Sequence, residues 1–269
     1  MNQASHELAK AMKEMERASR TFLTNEMPIV VRVNGRPFPQ ADKNITQPPE
    51  TIHQKAMKNT MLALCHHIQD CCLGYTFGNE ISFLLFRQDG KGVWFDGDTE
   101  KITSSVAGLA TLTFYKELAQ CANKADKKHC DETTIQKFYF TATVFNLPLK
   151  SVDDYFLWRQ NECIRKSVTL AAITLAGMDS QKIQGKQIPQ LLKILQTNAT
   201  PWESLPMQNR YGLFAVQKKR EKLKFTNGHI KPFTQNRWGI YPQTPRLYFE
   251  KSPFVINHLA CANTQTKRR

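Results

Sequence analysis

The residues of this chain best placed to do chemistry are three oxygen-bearing side chains at the ends of two predicted strands. Asn34 lies in the stretch VVRVNGRPF (Val30 to Phe38), and Asn79 and Glu80 lie in GYTFGNEISFLLF (Gly74 to Phe86). Carboxylates presented from neighbouring strand ends are what nucleotidyl transfer requires. Two Mg²⁺ ions about 4 Å apart must be clamped there to hold a triphosphate and activate the attacking oxygen. Of the three residues, only Glu80 carries a charge. An amide carbonyl still offers an oxygen, but each Asn in place of Asp removes a full negative charge from a hard-cation site, leaving a poor cage for Mg²⁺.

Alternating strands and helices must position these groups. Ile29 to Val33 is rich in β-branched residues and predicts a strand ending at Asn34-Gly35. Apolar residues at Met57, Met61, Leu64, Ile68 and Cys72 predict an amphipathic helix over His53 to Leu73. The run Tyr75 to Glu80 reads as a tight connection into a strand from Ile81 to Phe86, followed by a helix over Ser104 to Gln120 and a strand over Phe138 to Phe145. Ser151 and Asp154 have capping-box spacing and open a long helix carrying Trp158, Arg159 and Arg165, with Trp158 expected in the core. The expected fold class is α+β, a palm-like antiparallel sheet layered by helices, as in polymerase palm domains, with a helical C-terminal half. The expected organisation is a palm-like unit over 1–150, a helical RNA-facing part over 151–217 and a basic, aromatic extension over 218–269.

Composition narrows the partners. Lys plus Arg number 37 against 23 for Asp plus Glu, a net +14 that favours a polyanion. Lys218 to Arg269 holds twelve basic residues against two acidic ones, a net +10, interleaved with Phe225, Phe233, Trp238, Tyr241, Tyr248, Phe249 and Phe254. That mixture suits phosphate contact with base stacking, while the plainer reading is a solvated tail with aromatic anchors. No apolar run is long enough to span a bilayer and no leader pattern is visible, so no membrane association and a cytoplasmic location are expected. The seven cysteines lack CxxC spacing, and reduced thiols are expected. His66, His67, Cys71 and Cys72 fall on one predicted helix with no second ligand pair, which argues against zinc.

Five blocks in order, VRVNGRPF, GYTFGNEISFLLF, SSVAGLATLTFY, YFLWRQNECIRKSV and QGKQIPQLL followed by NRYG, resemble the tRNA-histidine guanylyltransferases and their bacterial and archaeal relatives. These enzymes extend RNA in the reverse, 3′ to 5′, direction. The likeness covers roughly residues 15 to 218 and leans toward the bacterial, tRNA-repair type. It implies a palm-like sheet with helices, commonly assembled as a tetramer. It also implies a nucleotide cradle at Gly35, Arg36 and Phe38, and RNA contacts from Arg159, Arg165, Lys186 and Arg210, to which the charge pattern adds Lys218, Lys219 and Arg220.

The departures from the family fall where its chemistry lies. Asn34 and Asn79 stand where the family has metal-binding Asp, and Glu80 is the metal ligand left if a site persists. Gln47 stands for a Lys that meets the triphosphate, Gly78 for a Ser and Phe77 for a Gln, while Thr141-Ala142-Thr143 replaces a stretch with an Asp and an Arg. Laboratory Asp-to-Asn changes would explain two of these positions; drift after loss of catalysis explains all of them.

Three readings follow. The first is an RNA-binding, tRNA-directed member with a degenerate site and no cofactor, a subunit of a homo- or hetero-oligomer beside an active relative. The second is an active 5′-end nucleotidyltransferase using Mg²⁺ and a nucleoside triphosphate, with Glu80, the Asn carbonyls and recruited Asp70 or Asp96. The third is a protein-binding scaffold with a basic tail. The sequence holds no GxxxxGK[ST] loop and no GxSxG elbow.

Overall fold

A computed structural model describes residues 3–36, 51–86, 93–124, 138–226, 229–248 and 254–255. The β-branched run at the start of β1 (Ile29–Arg36) makes it the second strand of a sheet ordered β4-β1-β3-β2-β5-β6, antiparallel throughout. The other strands are β2 (Cys71–Phe77), β3 (Glu80–Leu85), β4 (Tyr139–Asn146), β5 (Leu213–Thr226) and β6 (His229–Ile240).

Alternation along β1 divides the core. Ile29, Val31 and Val33 pack beneath α2 (Ile52–His67) and α3 (Thr99–Lys124), whereas Val30 joins the cluster of Leu73, Tyr75, Leu84, Phe156 and Phe214 under α4 (Val152–Thr174). Thr51 and Gln54 cap α2 reciprocally, and Asp98 starts α3 by accepting from the Glu100 and Lys101 amides. Gly74 lets α2 approach β2, since a Cβ there would stand 2.8 Å from Cys65 Sγ.

The second half of α4 packs with α6 (Ile188–Thr197), Trp202, Leu205 and Tyr211 into a third cluster, where Trp202 Nε1 donates to Ser167 Oγ at 2.9 Å. Two short helices, α5 (Ser180–Ile183) and α7 (Met207–Tyr211), link this part to β5, and α1 (Gln3–Ala18) precedes the sheet. Among the described residues no helix is long and apolar enough to cross a membrane.

The structure bears out the α+β sheet layered by helices and corrects several details. Tyr75 to Phe77 belongs to β2, and the turn is only Gly78-Asn79, with Gly78 at φ +54°. Cys71 and Cys72 lie on that strand, not on the helix that ends at His67. Ser151 makes no side-chain cap, and Trp158 is half-exposed. The helical part stops at Tyr211 and the chain returns to the sheet. The expected boundary at 217/218 falls inside β5. Among the described residues, β5 beyond Val216 pairs only with β6, as a two-stranded ribbon from Gln217 to Thr226.

Candidate functional site

Antiparallel pairing sets Asn34 of β1 opposite both Glu80 of β3 and Thr141 of β4. The Gly78-Asn79 turn then brings Asn79 against the Gly35 backbone. The Gly35 amide donates to the Asn79 carbonyl oxygen at 2.9 Å, and Asn79 Nδ2 donates to the Gly35 carbonyl oxygen at 3.0 Å. The three predicted residues therefore converge at one end of the sheet.

Glu80 is already committed there. It is 2 % exposed, with Oε1 2.8 Å from Arg159 Nε, while Oε2 accepts from Arg159 Nη2 at 3.2 Å and lies 3.1 Å from Arg32 Nη2. The Nε–H of Arg159 points off the line to Oε1, so that contact is Coulombic and the Nη2 contact is the hydrogen bond. The carboxylate lies buried between two guanidinium groups that balance its charge, with Oε2 contacted by both and Oε1 held by charge alone, without a hydrogen bond. Tyr155 closes the arrangement, its hydroxyl 3.1 Å from Ser82 Oγ; burial is the largest of the influences raising its pKa.

These residues do not fit a Mg²⁺ cage. A carboxylate at position 79 would face the Gly35 carbonyl with oxygen against oxygen, the sort of pair a cation bridges. Here an amide N–H fills that gap. Asn34 is neutral, Glu80 is locked, and no group of three His, Cys, Asp or Glu side chains among the described residues could hold a metal ion. The two carboxylates expected as recruits lie elsewhere. Asp70 precedes the far end of β2, roughly 20 Å along the strand, and Asp96 sits in the turn before α3, beside Gly97, whose carbonyl accepts from Leu23.

Beside the turn, a cleft of about 310 Å³ is lined by Phe77, Gly78, Asn79, Lys166, Gln208 and Asn209 among others. Lys166 Nζ lies 5.2 Å from the centre of the Phe77 ring, a cation over an aromatic face in the lining of a mainly apolar cleft. Lys166 was not singled out from the sequence, although it follows Arg165 in the YFLWRQNECIRKSV block. Nor was Arg32, which stands two residues before Asn34 on a strand and so shares its face.

The predicted RNA-facing residues separate in space. Arg159 is 3 % exposed and does not face outward. It holds Glu80 and lies 4.2 Å from the Trp158 ring centre. Arg165, six residues on, is turned about 240° round the helix. It is exposed and hydrogen-bonded twice to Glu162, at 3.2 and 2.7 Å, and those bonds lower the Glu162 pKa. Lys186 is exposed in the link between α5 and α6. Arg210 on α7 sits over Trp202 and Tyr211, near the cleft.

Gly35 is buried in β1 and Arg36 exposed at its end; Phe38 and Gln47 lie outside the described residues. Lys218 reaches the Ile240 carbonyl at 2.9 Å, and Lys219 and Arg220 continue the backbone of the β5–β6 ribbon. That ribbon was the largest omission. Asn227-Gly228 between its strands was the hairpin signal that would have revealed it.

Comparison with known proteins finds a family by sequence and a similar fold among solved structures. The profile of tRNAHis guanylyltransferase matches residues 9–148. A tRNA(His) guanylyltransferase of Debaryomyces hansenii is 26 % identical over 154 residues, which are 56 % of this chain and 55 % of that protein. The chain thus spans little more than half the length of that relative. In fold it is similar to a bacterial tRNA(His) guanylyltransferase-like protein solved in complex with ATP, with TM-score 0.72 and 24 % identity over 93 % of this chain and 97 % of that one. The tRNA(His) guanylyltransferase of Saccharomyces cerevisiae is similar at TM-score 0.58 and 18 % identity, over 81 % and 94 % of the two chains. With the profile spanning just over half of the sequence, the chain belongs to the tRNAHis guanylyltransferase family.

Proposed function

We propose that this chain is a tRNA-binding member of the family that has lost metal-dependent nucleotide addition and serves as a non-catalytic subunit beside an active relative. One observation carries the reading. The amide of Asn79 donates to the Gly35 carbonyl, and Glu80 is held between Arg32 and Arg159, so the strand ends keep their shape with no carboxylate free. Retained basic groups supply the RNA surface in this reading. Arg165, Lys186 and Lys218 are exposed, and the β5–β6 ribbon carries further Lys and Arg residues in sequence.

Direct binding of a 5′-truncated tRNA at low salt tests the RNA part. Retention of the tRNA, weakening steeply as salt rises, is the expected result. No tRNA binding at low salt would overturn the reading and favour an acidic protein partner for the basic segment.

A further inference from the structure

We propose that α1 is an exchanged arm: in a pair of copies of this chain, each α1 lies along the outer face of the other copy's α3. This goes beyond the tRNA-binding reading and concerns the helices on the far side of the sheet from Glu80.

The arm is amphipathic and leaves its apolar stripe open. From Ser5 to Ser19 every residue of α1 is exposed except the half-buried Ala11. Leu8, Ala11, Met12 and Met15 recur at three- and four-residue spacing, which is one stripe of a helix. Leu8 is 62 % exposed, Met12 46 % and Met15 67 %. A helix this short draws little stability from itself in water and owes most of it to packing an apolar face. Its root is nonetheless fixed. Arg20 bonds Asp98, the Thr99 amide donates to the Thr21 carbonyl and the Leu23 amide to the Gly97 carbonyl, so the arm leaves the body beside the start of α3.

The outer face of α3 is the matching seat. Leu112 is 70 % exposed, and Ser104 and Gly108, one and two turns before it on the same side, are exposed as well. Nothing stands within 4 Å of the place a Cβ on Gly108 would take, so the backbone there is open to a large apolar side chain. In the turn before α3, Phe95 is part-exposed and stacked on Trp94 with ring centres 4.8 Å apart. Phe95 and Asp96 both hold left-handed backbone, at φ +51° and +54°, a conformation that costs energy in a non-glycine residue. With the exposed Phe22 bridged to Asp98 beside it, apolar surface runs from the root of the arm to the head of the seat.

Charge selects the occupant. Glu7, Glu14 and Glu16 border the α1 stripe on its two sides, while Lys10, Lys13 and Arg17 take the back of the helix. Two α1 helices packed on each other would therefore set acid against acid. The α3 face instead offers exposed Lys101 and Lys116, about 22 Å apart along the axis of a helix, against one exposed acid, Glu100. An arm of 16 residues is about 24 Å long and spans that interval. A second copy carries both arm and seat, so two such contacts close a symmetric pair.

The test is sedimentation velocity of the full chain and of the variants Leu8→Glu and Leu112→Glu, with circular dichroism confirming the fold at these exposed positions. Each variant alone is expected to run at half the mass of the parent assembly. An equal mixture of the two variants should recover the parent's mass, because the unaltered α1 of one still meets the unaltered α3 of the other. A monomeric parent, either variant keeping the parent's mass, or a mixture that does not recover overturns the proposal.

Discussion

Asn79 donates its side-chain amide to the Gly35 carbonyl oxygen at 3.0 Å, across the ends of two neighbouring strands. The same carbonyl cannot accept anything from an ionised Asp, which has no proton to offer. Beside the backbone bond from the Gly35 amide to the Asn79 carbonyl, a single atom, nitrogen for oxygen, therefore decides whether the side chain at 79 bonds across this gap or faces it with a second acceptor.

The Asn79→Asp variant should accordingly lose about 1–3 kcal/mol of stability in EDTA, the cost of a broken hydrogen bond that leaves facing acceptors. Urea unfolding measures it. Adding Mg²⁺ should raise the melting temperature of the Asn34→Asp, Asn79→Asp double variant and leave that of the unaltered chain in place. A single variant as stable as the parent in EDTA would count against the hydrogen bond.

Glu80 has a structural duty whatever the site binds. Replacing it by Gln leaves Arg32 and Arg159 without their counter-ion, and removing one partner from a buried ion pair costs about 3–5 kcal/mol. The exposed Arg165 and Glu162 pair is a natural contrast, because Arg165→Gln should change stability by less than about 1 kcal/mol. Denaturant midpoints for the two variants should differ widely.

Burial pulls the pKa of His53, beside Phe114, from 6.5 down to about 3. The unfolded chain takes up a proton below pH 6.5 while the folded chain does not, so stability falls as pH drops from 6.5 toward 3, by at most about 1.4 kcal/mol per unit from this group. His53→Leu should flatten that part of the stability profile relative to the parent. Parallel profiles for the two proteins between pH 6.5 and 4 would contradict the assignment.

The sequence made part of this architecture legible because one physical signal dominated at each place. The β-branched run at Ile29–Val33 and the heptad-like apolar spacing on α2 come from single-sided burial, which leaves a period. Strand β2 is buried along its whole length, so Tyr75 to Phe77 carries no alternation and reads as a connection. Arg159 looked like a surface cation because nothing in its neighbourhood along the chain announces Glu80, which is 79 residues away. Convergence of Asn34, Asn79 and Glu80 was visible from their strand-end positions, whereas the role of Arg32 depends on register and appears only once β1 and β3 are paired.

The ribbon offers a test of the RNA surface as a whole. Lys218, Arg220, Lys222 and Lys224 occupy alternate positions of β5 and register with Arg237, Gln235, Phe233 and Lys231. Replacing the four β5 residues by Gln should weaken tRNA binding at low salt and make the dependence on salt shallower, by roughly 0.7–0.9 in the logarithmic slope for each phosphate that is no longer neutralised. An unchanged slope would place the RNA elsewhere on the molecule.

The most direct measurement is 5′-end nucleotide addition on a 5′-truncated tRNA with Mg²⁺ and all four nucleoside triphosphates, with tRNA binding read in the same samples. The unaltered chain is predicted to bind the tRNA and add nothing. Addition by the unaltered chain would contradict the account and make this protein a polymerase with an amide-lined metal site.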